Sequence, residues 1–284
     1  MQTILITGIN GYLGSHLVKA FSDDYKIIGI EYSLENLFRL EGYNFKIYSS
    51  LEVEDIFIEN VIDIIIHTAT SYGKNNEDLI NMFNTNIFSP FRLLNHAIKH
   101  KCQLFINTDT VLDRFVSPYA LTKRQFQEWL YLRRNEIKII NMQLEHFYGP
   151  GASNLNFVSG MIARLRNNEP IDLTKGEQMR NFIYIDDVVN AYLTIIGEKD
   201  RITNDYSTFQ VCTNQLISIK ELMIFIKGLT TSASILNFGA LYYRENELMR
   251  SEINNFNLLS LGWKPLYSIE EGLKLTCLES KKIE

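Results

Sequence analysis

The stretch that decides the fold stands at the start of the chain, Thr3-Ile4-Leu5-Ile6-Thr7-Gly8-Ile9-Asn10-Gly11-Tyr12-Leu13-Gly14. The apolar run predicts a buried β-strand, and an amphipathic helix is predicted to follow over Tyr12–Phe21. Between them, Gly8 permits a tight turn, Gly11 lets the backbone approach a pyrophosphate, and Gly14 lets the helix pack closely on the strand. The helix N-terminus then faces the phosphates, so we expect this turn, with Tyr12 and Leu13, to bind a dinucleotide.

The same rhythm of short apolar runs and longer amphipathic stretches continues through the first half of the chain. Further strands are predicted at Lys26–Glu31, Phe45–Tyr48, Ile62–Thr68, Gln103–Asn107 and Lys138–Leu144, and further helices at Glu77–His100 and Pro118–Arg134. Strands alternating with helices are typical of a parallel sheet covered on both faces. The sequence therefore predicts an α/β fold with a Rossmann-type, doubly wound parallel sheet.

The pattern changes at the turn cluster Tyr148-Gly149-Pro150-Gly151, after which the predicted elements are shorter and mixed. The helices expected there are Phe157–Asn167, Asp186–Ile196, Ser218–Leu229 and Ile269–Ser280, and the strands are Ile171–Leu173, Thr208–Cys212 and Ile235–Phe238. We expect an NAD(P)-binding domain over residues 1–150 and a smaller C-terminal α/β substrate domain over 151–284. Some segments of the second domain are expected to pack back on the first.

The composition excludes several classes of protein. The 284 residues include 28 Lys and Arg against 33 Asp and Glu, for a net charge of −5, and 46% are apolar. That apolar content excludes intrinsic disorder, and the absence of a basic stripe argues against nucleic acid as a partner. No apolar run reaches the roughly 20 residues that span a bilayer, and no basic segment precedes the first apolar run. The chain is therefore expected to be cytoplasmic and free of membrane.

The cysteines do not suggest a metal site. Cys102, Cys212 and Cys277 are widely separated and include no CxxC pair. An odd, scattered set of cysteines indicates a reducing compartment, and no metal is expected.

Glu31 ends the second predicted strand, 17 residues after Gly14. An acid at this place accepts hydrogen bonds from the adenosine ribose and repels a 2′-phosphate, so it favours NAD over NADP. Ser33 and Arg39 lie nearby and leave NADP possible.

Tyr119 and Lys123 are four residues apart at the start of a predicted helix, and so share one face of it. A free phenol has a pKa near 10, which a neighbouring cation lowers, so the pair suits proton transfer to or from a hydroxyl. The preceding strand ends in Asn107-Thr108-Asp109-Thr110. We expect a hydroxyl here, first Thr108 and second Thr110, to orient the reacting oxygen toward Tyr119. The catalytic candidates are thus Thr108, Tyr119 and Lys123, of which the last two also contact the cofactor.

Together, Gly8-x-x-Gly11-x-x-Gly14, Thr108 and Tyr119-x-x-x-Lys123 resemble the extended short-chain dehydrogenase/reductases of the NAD-dependent epimerase/dehydratase family, which act on nucleotide sugars. The resemblance covers nearly the whole chain. It implies that Thr68, Ala69 and Thr70 line the cofactor and that Asn86 is the structural and cofactor-site asparagine. For the substrate, a nucleotide-diphosphate sugar, it implies diphosphate contacts from Arg180 and Arg244, and the further candidates are Asp109, Thr110, His146 and Asn156.

Within that family, Leu144–Gly149, Gly176–Phe182 and Arg244–Met249 are similar to the bacterial reductases of CDP-4-keto-3,6-dideoxyhexoses that make CDP-abequose and CDP-paratose for O-antigen. Two departures stand out. Those reductases are expected to use NADPH whereas Glu31 favours NAD, and Asn181 replaces the usual Asp. Family dehydratases carry Asp-Glu after the active-site Thr. Here Thr110 replaces that Glu, so no carboxylate is placed to remove the C5 proton and a 4,6-dehydratase is not expected.

Three functions remain open. The first is reduction of a 4-keto sugar, and the second is C4 epimerisation with tightly held NAD, which uses the same residues. The third is a non-catalytic NAD-binding protein, against which the complete Thr–Tyr–Lys set argues. Relatives in the family dimerise, and Leu79, Ile80, Phe83 and Ile87 are helically spaced apolar residues that suit either a homodimer interface or packing on the sheet.

Overall fold

A computed structural model describes residues 1–73, 77–245 and 247–279. The described chain divides into two compact units, the first formed by Met1–Leu144 with Tyr192–Phe209 and the second by Glu145–Ala191 with Gln210–Glu284. The first unit thus ends shortly before the turn cluster, and it includes a segment from the second half of the chain.

The first half of the chain forms six strands joined by helices. The strands are β1 (Thr3–Thr7), β2 (Lys26–Glu31), β3 (Lys46–Ser49), β4 (Ile64–His67), β5 (Leu104–Thr110) and β6 (Lys138–Leu144). The helices are α1 (Tyr12–Phe21), α2 (Val53–Glu59), α3 (Leu79–Phe83), α4 (Ser89–Lys99) and α5 (Pro118–Leu132), with a π-helical turn at Asn84–Phe88 and a 3-10 turn at Phe38–Leu40. The single long helix predicted over Glu77–His100 is therefore three consecutive helical pieces, and α2 had not been predicted.

The second half contains shorter elements. The strands are β7 (His146–Tyr148), β8 (Ile171–Leu173), β9 (Met179–Arg180), β10 (Phe182–Tyr184), β11 (Tyr206–Val211), β12 (Ile217–Ser218) and β13 (Leu236–Phe238). The helices are α6 (Phe157–Arg166), α7 (Ile185–Gly197), α8 (Ile219–Thr230), α9 (Phe256–Ser260) and α10 (Ile269–Glu279). Ser280, the predicted end of the last helix, lies outside the described residues.

The main sheet has seven strands in the order β11-β6-β5-β4-β1-β2-β3. The pairings from β6 to β3 are parallel. Its centre consists of aliphatic strands, with Ile4–Ile6 and Ile64–Ile66 fully buried. Strands buried on both faces require such continuous apolar runs, which confirms the predicted doubly wound α/β fold. In this order the connection reverses between β1 and β4, and ligands of such sheets bind beyond the carboxyl ends of the strands at that point.

The second unit has small strand pairs instead of one large sheet. β7 pairs with β10 and β8 with β13 in parallel, whereas β9 and β12 are antiparallel. Among the residues that the structure describes, no helix combines the length and the apolar character that crossing a bilayer would require.

Candidate active site

The turn from β1 to α1 has no room for a side chain at its glycine positions. Gly8 has φ +63°, and a Cβ on it would lie 2.8 Å from the Cα of Ala69. A Cβ on Gly14 would lie 2.2 Å from the carbonyl oxygen of Gly8. The helix begins after Gly11 without any side-chain cap. A turn with glycine at these close approaches, ending at an uncapped helix N-terminus, fits a pyrophosphate, so these residues suit the dinucleotide expected from the sequence.

Glu31 holds this turn in place at the end of β2. Its carboxylate accepts hydrogen bonds from the backbone N–H of Asn10 and of Tyr32, each at 2.9 Å. Arg39 also bonds to Asn10, through its backbone N–H to the side-chain Oδ1 at 3.2 Å and through its guanidinium to the backbone oxygen at 3.4 Å. Glu31, which favours NAD, and Arg39, which leaves NADP possible, therefore both form hydrogen bonds with Asn10 of the turn.

Asn86 fastens the segment after β4 to the helix that carries Tyr119 and Lys123. Its Oδ1 accepts from the Thr70 hydroxyl at 3.2 Å and from the backbone N–H of Ser71 at 2.8 Å. Its Nδ2 donates to the Ser71 carbonyl at 2.8 Å and to the Thr122 hydroxyl at 3.0 Å. Thr122 donates in turn to the carbonyl of Tyr119 at 2.8 Å. Asn86 lies in the π-helical turn, a feature that often marks functional sites, and it fixes Thr68–Ser71 relative to Tyr119.

Tyr119 lies at the start of α5 in a poorly solvated environment. Burial raises the pKa of its phenol well above the usual value, and Tyr72 and Asp109 raise it further. A side-chain hydrogen bond with Thr110 acts in the opposite direction on the pKa. The Tyr72 ring lies 4.9 Å from the Tyr119 ring. The spacing predicts that Lys123 lowers the phenol pKa, but in the protein alone burial dominates and raises it.

The two threonines at the end of β5 each bond with a tyrosine. The Thr108 hydroxyl lies 2.7 Å from the hydroxyl of Tyr192, which is fully buried on α7. Thr110 bonds with Tyr119, and its Oγ1 also accepts from the backbone N–H of Leu112 at 3.2 Å. The two hydroxyls that are predicted to orient a reacting oxygen are therefore each held in place by a tyrosine.

Lys123 and Asp109 are the charged residues buried beside Tyr119. Lys123 is 2% exposed, and burial lowers its pKa while Asp109 raises it. The Asp109 carboxylate accepts from the backbone N–H of Thr110 and from Asn141 Nδ2, each at 2.8 Å. Each oxygen of the Asp109 carboxylate therefore already accepts a hydrogen bond within the protein. This leaves less of the carboxylate for the predicted substrate contact.

In the second unit, Arg180 and Arg244 lie in different environments. Arg180 is buried and forms an ion pair with Glu247, with Nη2 2.5 Å from Oε1. Arg244 is exposed, and its carbonyl oxygen accepts the backbone N–H of Glu247 at 3.1 Å. Glu247 therefore links the two predicted diphosphate ligands, and the sequence had not singled it out.

Three other side chains of this unit lie near β7 and β10. His146 has Nδ1 3.4 Å from the carboxylate of Glu145, and its ring packs on Phe182 with 5.4 Å between centroids. Asn156 caps α6, with its amide donating to the carbonyl of Phe147 at 2.9 Å. Asn181 donates to the carbonyls of Thr213 and Gln215 at 2.9 and 2.7 Å. An aspartate at 181 would lack these donors, which explains the departure noted in the sequence.

The structure thus brings the cofactor and catalytic candidates together in the first unit. It places His146, Asn156, Arg180 and Arg244 in the second. Sequence reasoning missed Tyr72, Thr122, Tyr192 and Glu247, whose partners are distant in sequence. The three cysteines are buried and form no disulfide with one another, and the described residues contain no group of three or more His, Cys, Asp or Glu arranged for a metal ion.

Comparisons with known proteins agree with this architecture. The chain is 34% identical to the CDP-abequose synthase of Salmonella typhimurium, with 96% of each protein covered. It is 29% identical to the dTDP-D-glucose 4,6-dehydratase of Mus musculus, covering 97% of this chain and 87% of that protein. The solved structure of UDP-glucuronic acid 4-epimerase from Bacillus cereus, in complex with UDP-glucuronic acid and NAD, matches with a TM-score of 0.87 at 21% identity, over 100% of both chains.

A family model gives the broadest assignment. The model of the NAD dependent epimerase/dehydratase family matches residues 4–211 and so includes the glycine turn, Thr108, Tyr119 and Lys123. The resemblance inferred from the motifs is confirmed. The chain belongs to the NAD dependent epimerase/dehydratase family.

Proposed function

We propose that this protein is a nucleotide-sugar oxidoreductase that reduces the 4-keto group of a nucleotide-diphosphate deoxyhexose, as a CDP-abequose synthase type of enzyme. The observation that carries the proposal is the position of Tyr119 at the start of α5, where its phenol forms a hydrogen bond with Thr110, the last residue of β5. A protonated phenol beside the nicotinamide end of a dinucleotide site is the proton donor that a ketone reductase needs. The 34% identity to CDP-abequose synthase supports the same chemistry.

The chemistry that bound NAD supplies is hydride transfer. The residues of this chain would do the rest: Tyr119 gives its proton to O4, and Thr108, held by Tyr192, orients that oxygen. Lys123 would hold the nicotinamide ribose and stabilise the phenolate that remains. Gly8, Gly11, Tyr12, Leu13 and Gly14 would bind the pyrophosphate, Glu31 the adenosine ribose, and Thr68, Ala69, Thr70 and Asn86 the remaining surface of the cofactor.

Residues of the second unit are proposed to bind the nucleotide-diphosphate part of the substrate. Arg180 and Arg244 offer planar forks of donors that suit a diphosphate. Because Arg180 is paired with Glu247, the diphosphate would compete with that carboxylate. His146 and Asn156 are proposed as sugar-side contacts, and Thr110 as a contact of the reacting centre. The protein is proposed to work in the cytoplasm in the synthesis of a polysaccharide such as O-antigen, and as a homodimer.

Epimerisation at C4 is the second candidate, and the observation that favours it is Glu31. Its carboxylate is fixed by two backbone N–H groups at the strand end, where it would repel the 2′-phosphate of NADP. An epimerase retains NAD through its cycle, whereas a reductase consumes the reduced cofactor. Stoichiometric NAD in the absorbance spectrum of the purified protein favours the epimerase, and turnover of added NADH or NADPH with a 4-keto sugar nucleotide favours the reductase.

Tyr119→Phe tests the proposed proton donor. The variant keeps the ring and removes the hydroxyl, so we expect hydride transfer to a CDP-4-keto-deoxyhexose to fall at least 100-fold, in the range of lost general acid catalysis. Binding of NAD, measured by calorimetry, is expected to stay within a few-fold. Tyr131→Phe, at an exposed tyrosine of the same helix, is the matched control. Full turnover by Tyr119→Phe would reject the assignment.

A further inference from the structure

A line of buried polar side chains crosses the sheet beside Lys123. Thr7, His67, Asn107 and Asn141 are register neighbours on β1, β4, β5 and β6. All four are nearly or fully buried. Side chains in one register row of a parallel sheet point to the same face, and Asp109, two residues beyond Asn107, shares that face. This row therefore leads from the glycine turn to the carboxylate of Asp109.

The donors of the row have a fixed direction, because a carboxylate only accepts. Asn141 must turn its Nδ2 to Asp109, at 2.8 Å, so its Oδ1 accepts from Asn107 Nδ2 at 2.7 Å. At the other end, Thr7 Oγ1 accepts from the backbone N–H of Ala69 at 3.2 Å and lies 2.7 Å from His67 Nδ1. Asn141 thus donates directly to Asp109, and Asn107 fixes the direction of Asn141. Burial raises the pKa of Asp109, and the charge of Lys123 with the hydrogen bonds from Asn141 and Thr110 lowers it.

Lys123 lies on α5, which contacts β5, and its ammonium is buried with little charge compensation. It forms no hydrogen bond or ion pair with the residues that the structure describes, yet it is 2% exposed. A buried ammonium is costly unless an opposite charge compensates it. Asp109 supplies that charge: burial lowers the pKa of Lys123, and the carboxylate raises it.

The other titratable groups around this pair carry no charge near neutral pH. Burial and the charge of Lys123 hold the pKa of His67 well below its usual value. The phenols that face Asp109 are Tyr119 on the helix of Lys123, Tyr192 on α7 and Tyr206 on β11, and burial raises the pKa of each. Lys123 and Asp109 are therefore the two charged groups of this cluster among the described residues, and each shifts the pKa of the other toward its charged form.

We propose that Asp109 is the counter-ion of Lys123, a positioning residue that the Asn141–Asn107 amides hold ionised, and not a ligand of the substrate. The inference deepens the proposed function and rests on it for its purpose, since a lysine that stays charged is what the proposed proton transfer needs. It gives Asp109 a different task from the substrate contact expected from the sequence. It also assigns tasks to Asn107 and Asn141, for which the motifs gave none.

A double-mutant cycle on thermal unfolding tests the pairing without substrate or cofactor. The variants are Asp109→Asn, Lys123→Met and the double variant at pH 7. We expect Asp109→Asn to lower the unfolding midpoint by several degrees in the natural chain. In the Lys123→Met background, the same substitution should lower the midpoint by less than half as much. Glu128→Gln, at an exposed acid of α5, should shift both backgrounds equally. Equal shifts by Asp109→Asn in the two backgrounds would overturn the proposal.

The pH dependence gives a second signature that a purely structural role would not produce. Because the folded pKa of Lys123 lies below its unfolded value near 10.4, stability rises with pH between the two values. Asp109→Asn lowers the folded pKa of Lys123 further, so the stability of the variant begins to rise at lower pH. Its deficit against the natural chain therefore shrinks as the pH rises toward the unfolded pKa. A deficit that stays constant with pH would contradict the pairing.

If Asp109→Asn does not fold, Asn141→Ala tests the same idea while both charges remain. Loss of the amide donor destabilises the ionised form of Asp109, and this in turn lowers the pKa of Lys123. The alkaline limit of kcat is therefore expected to move to lower pH. An unmoved limit would overturn the proposal. Since the unfolding cycle contains no substrate, a coupled Asp109–Lys123 pair together with full turnover by Tyr119→Phe would reject the proposed function and leave the counter-ion in place.

Discussion

Tyr119 shows that burial decides protonation at single residues of this site. Its spacing from Lys123 predicted a phenol made more acidic by a cation, but in the protein alone burial, Tyr72 and Asp109 raise its pKa. The sequence gives the spacing along a helix and not the solvation at its ends. A phenol with its ordinary pKa is already protonated near neutral pH, so the raised pKa by itself does not favour one direction of the reaction.

Tyr192→Phe tests whether the Thr108 hydroxyl must be held. The variant removes the partner 2.7 Å from Thr108 Oγ1 and keeps the ring. Loss of one hydrogen bond worth about 1.4 kcal/mol in the transition state predicts a fall in kcat of about tenfold. KM and NAD affinity should change less than twofold, and Tyr131→Phe serves again as the control. An unchanged kcat would show that Thr108 acts without Tyr192.

The candidate residues could be found from the sequence where their pattern is local. Gly8, Gly11 and Gly14 form a repeat, and Tyr119 with Lys123 forms a helical pair. By contrast, Tyr192 meets Thr108 across 84 residues and Glu247 meets Arg180 across 67. No periodicity encodes such a contact, because it depends on how separate elements pack.

The elements of the main sheet were predictable because each central strand is a continuous apolar run. β2 and β6 have the predicted bounds. The helix expected over Glu77–His100 is interrupted by the turn at Asn84–Phe88, since amphipathic periodicity does not reveal a locally wider turn. β9, β10 and β12, with two or three residues each, are too short to show any alternation.

Gly14→Ala tests the packing of α1 on β1. A methyl group would meet the Gly8 carbonyl at 2.2 Å, so the helix must move away from the turn. We expect a lower unfolding midpoint and at least tenfold weaker NAD binding. Gly228→Ala is the matched control, because a Cβ there meets nothing within 4 Å and alanine favours a helix interior by about 1 kcal/mol. If Gly14→Ala bound NAD normally, the close packing would not be needed for the cofactor.

At the scale of the whole molecule, the net charge of −5 says nothing of how positive and negative groups are distributed over the chain. Two anionic ligands are proposed for an acidic chain, so positive potential must be concentrated where they bind. The uncapped N-terminus of α1 provides it for one ligand, and Arg180 with Arg244 for the other. Glu247 prevents Arg180 from remaining an uncompensated buried charge when no diphosphate is bound.

The surface of the first unit carries an apolar patch that suits the proposed homodimer. Leu79, Ile80 and Phe83 of α3 are 60, 64 and 48% exposed, and Trp129 and Leu132 of α5 are 43 and 63% exposed. Ile87, the fourth residue of the predicted face, is buried. Helices α3 and α5 contact each other, so these side chains lie on neighbouring elements. Adjacent exposed apolar side chains of this kind are typical of interaction surfaces.

Ile80→Lys combined with Leu132→Lys tests this interface. Two ammonium groups on each copy would face their symmetry mates in a twofold dimer, and burying them without partners is costly. We expect the natural chain to sediment as a dimer and the double variant as a monomer with an unfolding midpoint no longer dependent on protein concentration. Ile224→Lys, at an exposed apolar residue of α8, should leave the dimer intact. A double variant that remained dimeric would place the interface elsewhere, because no twofold contact through α3 and α5 would tolerate four buried lysines.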